Sequence, residues 1–254
     1  MIDLIINRFY CRDFIDVYLI EILKGTNPYF DQEGLELTCL DLFKAGAETS
    51  STTILWVILY LVKYQDVQEK CYQEIVRVTG EERPSLQHSL PYCQAVIMEV
   101  QRLACVAPQT IPHRSVIYNI ILSSNIYCRI TRDVSVEGYD VPQDSVAMAN
   151  LWGFMKDPDH WEDPLMFHPE RFLEKTDGGL KVIKKERFVP YGIGRRVCMG
   201  ESLAKDTLFI FVTTLVKNLK FENPVNHPNP DPENYTDGFT VIPHPYHVKL
   251  ICRK

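Results

Sequence analysis

Residues 188–200 (FVPYGIGRRVCMG) constrain this chain most, because they present one cysteine on a glycine-rich loop directly before a long apolar segment. A cysteine thiolate is a soft, strongly donating iron ligand, and Gly192, Gly194 and Gly200 would let the backbone approach a flat macrocycle closely. A helix that begins near the last of these glycines would point N–H groups back at the sulfur and favour its anionic form. The stretch therefore predicts that Cys198 is a metal ligand.

Cys198 taken alone would be better explained as a buried structural cysteine beside a turn. The complete spacing, Tyr-Gly-x-Gly-x-Arg-x-Cys-x-Gly, favours the metal ligand instead. The arginine of this pattern, Arg196, lies two residues before the cysteine and could bind a carboxylate of the ligated group.

Composition argues against several other classes of protein. The formal net charge of −6 gives the chain no basic field for nucleic acid. Its eight cysteines contain no CxxC pair, which disfavours a zinc ribbon, and their low density indicates a reducing environment without a disulfide framework. The longest apolar run, residues 54–62, is about half of the ~20 residues that a transmembrane helix needs, so we predict no membrane span.

Apolar periodicity predicts mostly helices, followed by short strands and loops. Helices are expected at residues 12–23, 35–63, 65–77, 91–103 and 202–217. Strands are expected at residues 133–136, 145–150, 219–221 and 248–251, with a turn at 137–140. Residues 157–181 are rich in Pro and Gly and predict a surface meander. The expected class is mainly α with small β-sheets.

A carboxylate and a guanidinium lie at i, i+3 in Glu99-Val-Gln-Arg102, which places them on one face of a helix. Such a pair is usually solvated and contributes little to stability. Here the surrounding helix positions are apolar, which indicates partial burial. A second arginine, Arg171, follows in the segment 167–172 (FHPERF).

These motifs, in this order, resemble those of the cytochrome P-450 superfamily, the haem-thiolate monooxygenases. The similarity runs from about Arg12 to the C terminus and is closest to microsomal animal members, including insect ones. It implies the C-terminal half of the P-450 fold, with its long central helix, Glu-x-x-Arg helix, meander, Cys-ligand loop and final helix. Cys198 would be the axial ligand of the haem iron. The three charged residues would form a buried structural triad: Glu99, Arg102 and Arg171.

The segment Ala45-Gly46-Ala47-Glu48-Thr49 resembles the oxygen-activation segment of the family's long helix. The resemblance implies that Ala45 and Gly46 leave a groove over the iron, with Ala45 also facing the substrate. The Thr49 hydroxyl would donate to bound dioxygen while Glu48 relays protons. The alternative is a helix with a packing glycine and a few surface hydroxyls.

Further roles follow from the resemblance alone. His113 and Arg196 would bind the haem propionates, and residues 107–111 and 238–241 would contact the substrate. A flavoprotein reductase carrying electrons from NADPH would dock near the cysteine, where cations are offered by Arg195, Arg196 and Lys205. The substrates would be dioxygen and an apolar small molecule, at the cytoplasmic face of the endoplasmic-reticulum membrane.

Three alternatives to a monooxygenase stay open. Some superfamily members are isomerases or dehydratases that need no dioxygen, although the intact Glu48-Thr49 pair argues against that. A haem-binding or sensing protein without turnover is the second. The third is a catalytically inert, haem-free fragment, because much of the pocket wall of a P-450 would be missing.

Several features depart from the family pattern. Tyr191 occupies a position where the family usually has Phe. The chain has about half the length of a microsomal member, so we expect a partial single domain over residues 1–254. In it residues 12–254 match the C-terminal half, residues 1–11 match nothing, and the membrane anchor of the parent protein is absent. Residues 116–130 are predicted to be an insertion, since deleting them restores the family spacing, and we attribute them to a retained intron or a gene-model error.

Overall fold

The computed structural model of the chain describes residues 11–110, 132–146 and 148–253. These residues form two compact units, and the division falls between Glu48 and Thr49, within one long helix.

Two features predicted from the sequence fall outside this description. They are the insertion at residues 116–130 and nearly all of the unmatched segment, residues 1–10. Both stay predictions, as does the single partial domain.

The first unit contains helix α1 (Phe14–Lys24) and the beginning of helix α2 (Gln32–Lys63). Asp13 caps α1, because its side chain accepts a hydrogen bond from the backbone N–H of Asp16 at 3.1 Å. Gly25 ends the helix in the left-handed region, with φ of 61°. Both predicted helices are confirmed, and α2 begins three residues earlier than its apolar periodicity indicated.

Helix α2 is, in the described part of the chain, the one helix that is long and apolar enough to cross a membrane. That finding is weak evidence for a span, because core helices of soluble proteins share this length and composition. Its second half contributes Trp56, Val57 and Leu61, each 1% exposed, to the buried core of the second unit.

The second unit packs further helices around that core. Its helices are α3 (Gln65–Thr79), α4 (Pro91–Ala104), α5 (Leu151–Met155) and α6 (Glu201–Asn218). The predicted helices at residues 65–77, 91–103 and 202–217 are therefore confirmed. A second, smaller cluster lies between α4 and the segment that leads to the cysteine loop, and it comprises Ala95, Cys105, Leu151, Met155, Trp161, Phe172, Phe188 and Val189.

Small antiparallel sheets of two strands complete the described fold. The pairs are β1 (Val134–Val136) with β2 (Tyr139–Val141), β3 (Leu173–Thr176) with β4 (Gly179–Val182), β5 (Leu219–Glu222) with β8 (Lys249–Cys252), and β6 (Tyr235–Thr236) with β7 (Ile242–Pro243). The two predicted terminal strands are confirmed, and they pair with Phe221 opposite Leu250. The class is mainly α with small sheets, as predicted.

The predicted strand at residues 145–150 is wrong in its described part. The described residues of this segment form isolated β-bridges in place of a continuous strand, one of them pairing Asn150 with Gln109, and Asn150 also caps α5 by accepting the N–H of Gly153 at 2.9 Å. The partner of β1 is β2, which follows at once, so the predicted turn at 137–140 is shorter than expected.

Helix α3 is joined to the start of α4 by a buried carboxylate. Glu74 is 5% exposed and accepts the backbone N–H groups of Tyr92 and Cys93, each at 2.9 Å. These N–H groups belong to the first turn of α4, where no intrahelical acceptor exists and negative charge is favourable. One side chain therefore satisfies two donors that would otherwise be buried without partners.

Glu74→Gln should lower the free energy of unfolding by about 1–2 kcal/mol, because the amide removes the charge and one of the two acceptors. Urea denaturation followed by far-UV circular dichroism measures the loss. Glu81→Gln is the matched control, since Glu81 is exposed and should change stability by less than about 0.5 kcal/mol. Equal effects of the two substitutions would contradict the capping role.

Candidate functional site

The glycine-rich loop is anchored at its start by a buried aromatic contact. The ring of Phe188 packs edge-on against Phe172, with centroids 4.9 Å apart. Gly192 and Gly194 both have a φ of 76°, in the left-handed region that favours glycine. The N–H of Gly192 donates to the carbonyl of Val189 at 3.0 Å, so the chain turns sharply as it leaves the core.

Cys198 lies at the end of this loop, directly before α6. Its N–H donates to the carbonyl of Tyr191 at 2.9 Å, which closes the loop, and Gly200 occupies the N-cap position of the helix. The thiol is exposed, and its sulfur lies 3.9 Å from the position that a Cβ on Gly200 would occupy, at the start of the helix. The sulfur is therefore available to a ligand that approaches from outside the loop.

Arg196 lies in a short 3₁₀ turn (Gly194–Arg196) and is exposed. None of the described carboxylates forms an ion pair with it. Two residues from Cys198, this guanidinium is a free cation that a carboxylate on a bound group could use.

Tyr191 replaces the usual Phe without leaving its hydroxyl unpaired. The side-chain amide of Gln101, on α4, donates to the Tyr191 hydroxyl at 2.8 Å. Burial raises the pKa of Tyr191 to about 12, so the hydroxyl stays protonated. The substitution thus ties the loop to α4, a link that a Phe could not make.

The structure brings Glu99, Arg102 and Arg171 together in the interior. Arg102 binds Glu99 through two parallel hydrogen bonds of 2.8 Å, and both side chains are fully buried. Arg171 donates from Nε to Glu99 Oε1 at 3.0 Å, and the backbone N–H of His168 donates to the same oxygen at 3.0 Å. The carboxylate therefore accepts four hydrogen bonds.

Backbone carbonyls satisfy the remaining guanidinium donors. Arg102 Nη1 donates to the carbonyls of Met155 at 3.0 Å and Pro164 at 2.7 Å. Arg171 Nη1 donates to the carbonyl of Glu162 at 2.8 Å. The charged cluster consequently fastens α4 to the segment from α5 to the 3₁₀ turn at Pro169–Phe172.

The small-residue segment of α2 remains helical throughout. Ala45, Gly46 and Glu48 are exposed and belong to the first unit, whereas Thr49 is half-buried and belongs to the second. A Cβ added to Gly46 would meet nothing within 4 Å, so a larger side chain would not clash at this position.

One of the two predicted substrate-contacting segments, 238–241, contacts the residue that precedes the other. The N–H of Val241, in the segment 238–241, donates at 2.9 Å to the carbonyl of Val106, the residue before the other segment. Residue 111 of that segment lies outside the described residues, and so do His113 and the side chain of Arg195.

A sequence model of the Cytochrome P450 family matches residues 6–250. The chain belongs to the cytochrome P450 family.

Individual P450 relatives agree with this assignment. Cytochrome P450 2U1 of Homo sapiens is 40% identical over 249 residues, which are 95% of this chain and 42% of that protein. Cytochrome P450 2J2 of Homo sapiens is 41% identical over 221 residues, or 85% of this chain and 40% of that protein. The chain therefore spans well under half the length of the curated P450 relatives it matches.

Solved P450 structures have the same fold. A zebra fish cytochrome P450 with abiraterone superimposes with a TM-score of 0.82 and 33% identity, covering 97% of this chain and 56% of that one. A second zebra fish cytochrome P450 structure, with progesterone, gives a TM-score of 0.80 at 33% identity, over 94% of this chain and 52% of that one.

Family membership implies haem, and the described residues suit it. An exposed thiol on a glycine loop at a helix start is a donor for iron, and Arg196 is a nearby cation without a described carboxylate partner. Sequence reasoning missed the contacts of Gln101 and of the His168 N–H. A backbone donor carries no sequence signal, but Tyr191 at a Phe position could have prompted a search for a hydroxyl partner.

Proposed function

We propose that this chain carries the haem-ligand part of a monooxygenase that inserts one oxygen atom of dioxygen into an apolar small molecule. The exposed sulfur of Cys198 is the observation that carries the proposal, because the loop closure at Tyr191 and the start of α6 fix it in place. When bound, haem ligated by a thiolate supplies dioxygen binding and O–O cleavage. The other roles proposed here belong to the protein's own residues.

Cys198 would hold the iron, while Arg196 and His113 would bind the propionates. Gly192 and Gly194 would allow close approach of the macrocycle, because neither has a side chain and a Cβ at either position would meet nothing within 4 Å. Gly200 leaves the start of α6 open toward the sulfur.

Glu48 and Thr49, both on α2, would supply protons to the reaction. Glu48 is exposed, which suits a carboxylate that exchanges protons with solvent, and the neighbouring Thr49 hydroxyl would donate to dioxygen. Ala45 and Gly46, small residues on the same helix, would leave room for dioxygen and the substrate. The triad of Glu99, Arg102 and Arg171 has a structural role, since its buried hydrogen bonds are all internal.

Electrons would come from NADPH through a flavoprotein reductase at the endoplasmic-reticulum membrane, on its cytoplasmic face. Arg195, Arg196 and Lys205 would offer the cations, and of these Lys205 also forms an ion pair with Glu201 on α6. An acidic patch on the reductase would match them.

The reduced carbon-monoxide difference spectrum tests the ligand directly. The chain, expressed with haem supplied, should give a red-shifted Soret band that Cys198→Ala abolishes. Cys252→Ala, at an exposed cysteine on β8, is the matched control and should leave the band unchanged. A band that survives Cys198→Ala, or that disappears equally in both variants, would overturn the assignment. NADPH consumption with a reductase then separates an oxygenase from a haem-binding protein without turnover.

A further inference from the structure

Two histidine rings lie against each other on the second unit, outside the haem-ligand loop. The centroids of His227 and His247 are 4.1 Å apart, with a 47° angle between the ring planes. Both residues are exposed, so burial of apolar surface does not account for the contact. Neither residue belongs to the motifs that identify the family.

The backbone holds the first ring in a short turn after β5. The N–H of His227 donates to the carbonyl of Pro224 at 3.2 Å. Its own carbonyl accepts from the side-chain amide of Asn223 at 3.0 Å, and that amide also donates to Asn229 Oδ1 at 2.8 Å. The turn is therefore closed from both sides of His227.

The second ring is held at the entry to β8. His247 follows Tyr246, whose hydroxyl donates to the carbonyl of Leu55 on α2, and β8 then pairs with β5 through Lys249 opposite Glu222. Because these contacts fix both backbones, binding of one ligand by the two rings would restrict mainly the side-chain rotation of the histidines.

We propose that His227 and His247 form a two-histidine site for a late first-row divalent metal ion such as Zn²⁺, Ni²⁺ or Cu²⁺. Imidazole nitrogen suits these ions. Two nitrogens on one tetrahedral zinc lie about 3.3 Å apart, given Zn–N bonds of about 2.0–2.1 Å. With centroids 4.1 Å apart, both side chains would have to rotate to bring one nitrogen of each ring to that separation, and their exposure leaves room for the rotation.

Water would complete the coordination. In the part of the chain that the structure describes, no three His, Cys, Asp or Glu side chains converge to hold a metal ion. The ion would therefore be exchangeable, and it would cross-link the turn after β5 to the start of β8. The site is independent of haem and of the proposed oxygenase activity.

Metal binding by the two histidines can be tested on a Ni²⁺-chelate column. The untagged chain is loaded, and the imidazole concentration that elutes it is measured. His227→Ala and His247→Ala should each elute at an imidazole concentration several-fold lower than the one that elutes the parent. The double variant should elute only slightly earlier than either single one, since chelation needs both rings and one remaining ring binds far more weakly. His244→Ala, at an exposed histidine near the same strand, is the matched control and should elute with the parent.

Thermal unfolding gives a second readout. Ni²⁺ should raise the Tm of the parent and of His244→Ala, and it should raise the Tm of the two ring variants much less. Circular dichroism of each variant without metal establishes that the fold is kept, and His227→Gln and His247→Gln replace any alanine variant that unfolds. The proposed site would be wrong if all variants were retained as strongly as the parent. It would also be wrong if His244→Ala lost as much retention as the two ring variants.

Discussion

Arg102→Met should lower the free energy of unfolding by about 3–5 kcal/mol, because it leaves the Glu99 carboxylate in the interior without its bidentate partner. Glu99 and Arg102 have no exposed surface, so water cannot replace the lost hydrogen bonds. The carbonyls of Met155 and Pro164 would lose their donor as well. Methionine keeps much of the side-chain volume, so the loss comes from charge, from hydrogen bonding and from the contact between the guanidinium and the Trp161 ring.

Guanidinium chloride denaturation followed by far-UV circular dichroism measures that loss. Arg187→Met is the matched control, because Arg187 pairs with Asp157 at 3.1 Å but is partly exposed. An exposed pair contributes about 0–1 kcal/mol, so the control should cost far less. If both variants lost a similar amount of unfolding free energy, burial would not determine how much the triad contributes to stability.

A double variant separates the cost of a buried, unpaired carboxylate from the cost of lost side-chain packing. Arg102→Met combined with Glu99→Leu removes both members of the central pair, so no carboxylate is left buried and unpaired. Its loss should be smaller than the sum of the two single losses, since buried pairs are strongly coupled. Arg171 would then lack its acceptor, which is why some destabilisation should persist.

The five longer helices could be predicted from the sequence because apolar periodicity and terminal signals agree, whereas the five-residue helix α5 was not predicted. Pro91 stands at the first helical position of α4, and Gly25 directly follows α1. The hairpin of β3 and β4 was missed, although Asp177-Gly178 marks its turn. Its strands are mostly exposed and do not alternate apolar and polar residues, so the pattern within the meander gave no strand signal.

The candidate site was predictable where a motif fixes both residue type and spacing. The grouping of Glu99, Arg102 and Arg171 came from such motifs, and so did the loop that presents Cys198. The ring of Trp161, which lies 4.9 Å from the Arg102 guanidinium, was not predictable, because no spacing links an isolated tryptophan to a distant arginine. His113 as a propionate partner stays a prediction.

Trp56→Ala should lower the free energy of unfolding by about 3–5 kcal/mol, as expected when a large buried aromatic side chain is removed from a core. Trp56 is 1% exposed and makes an edge-on contact with Tyr235, with centroids 6.2 Å apart. Its indole N–H donates to the carbonyl of Val241 at 3.0 Å, and the N–H of Val241 donates to Val106. The indole therefore fastens α2 to the C-terminal loop, and its loss would open a cavity where these elements meet.

Trp56→Phe separates the hydrogen bond from the volume. Phenylalanine fills most of the space but leaves the Val241 carbonyl without its donor, so the loss should be about 1–2 kcal/mol. Trp152→Ala is the matched control, since Trp152 is 39% exposed and should cost about 1 kcal/mol or less. Circular dichroism is the suitable probe, because these variants change the tryptophan fluorescence itself. If Trp56→Ala cost no more than Trp152→Ala, the second half of α2 would not be the core helix that its burial indicates.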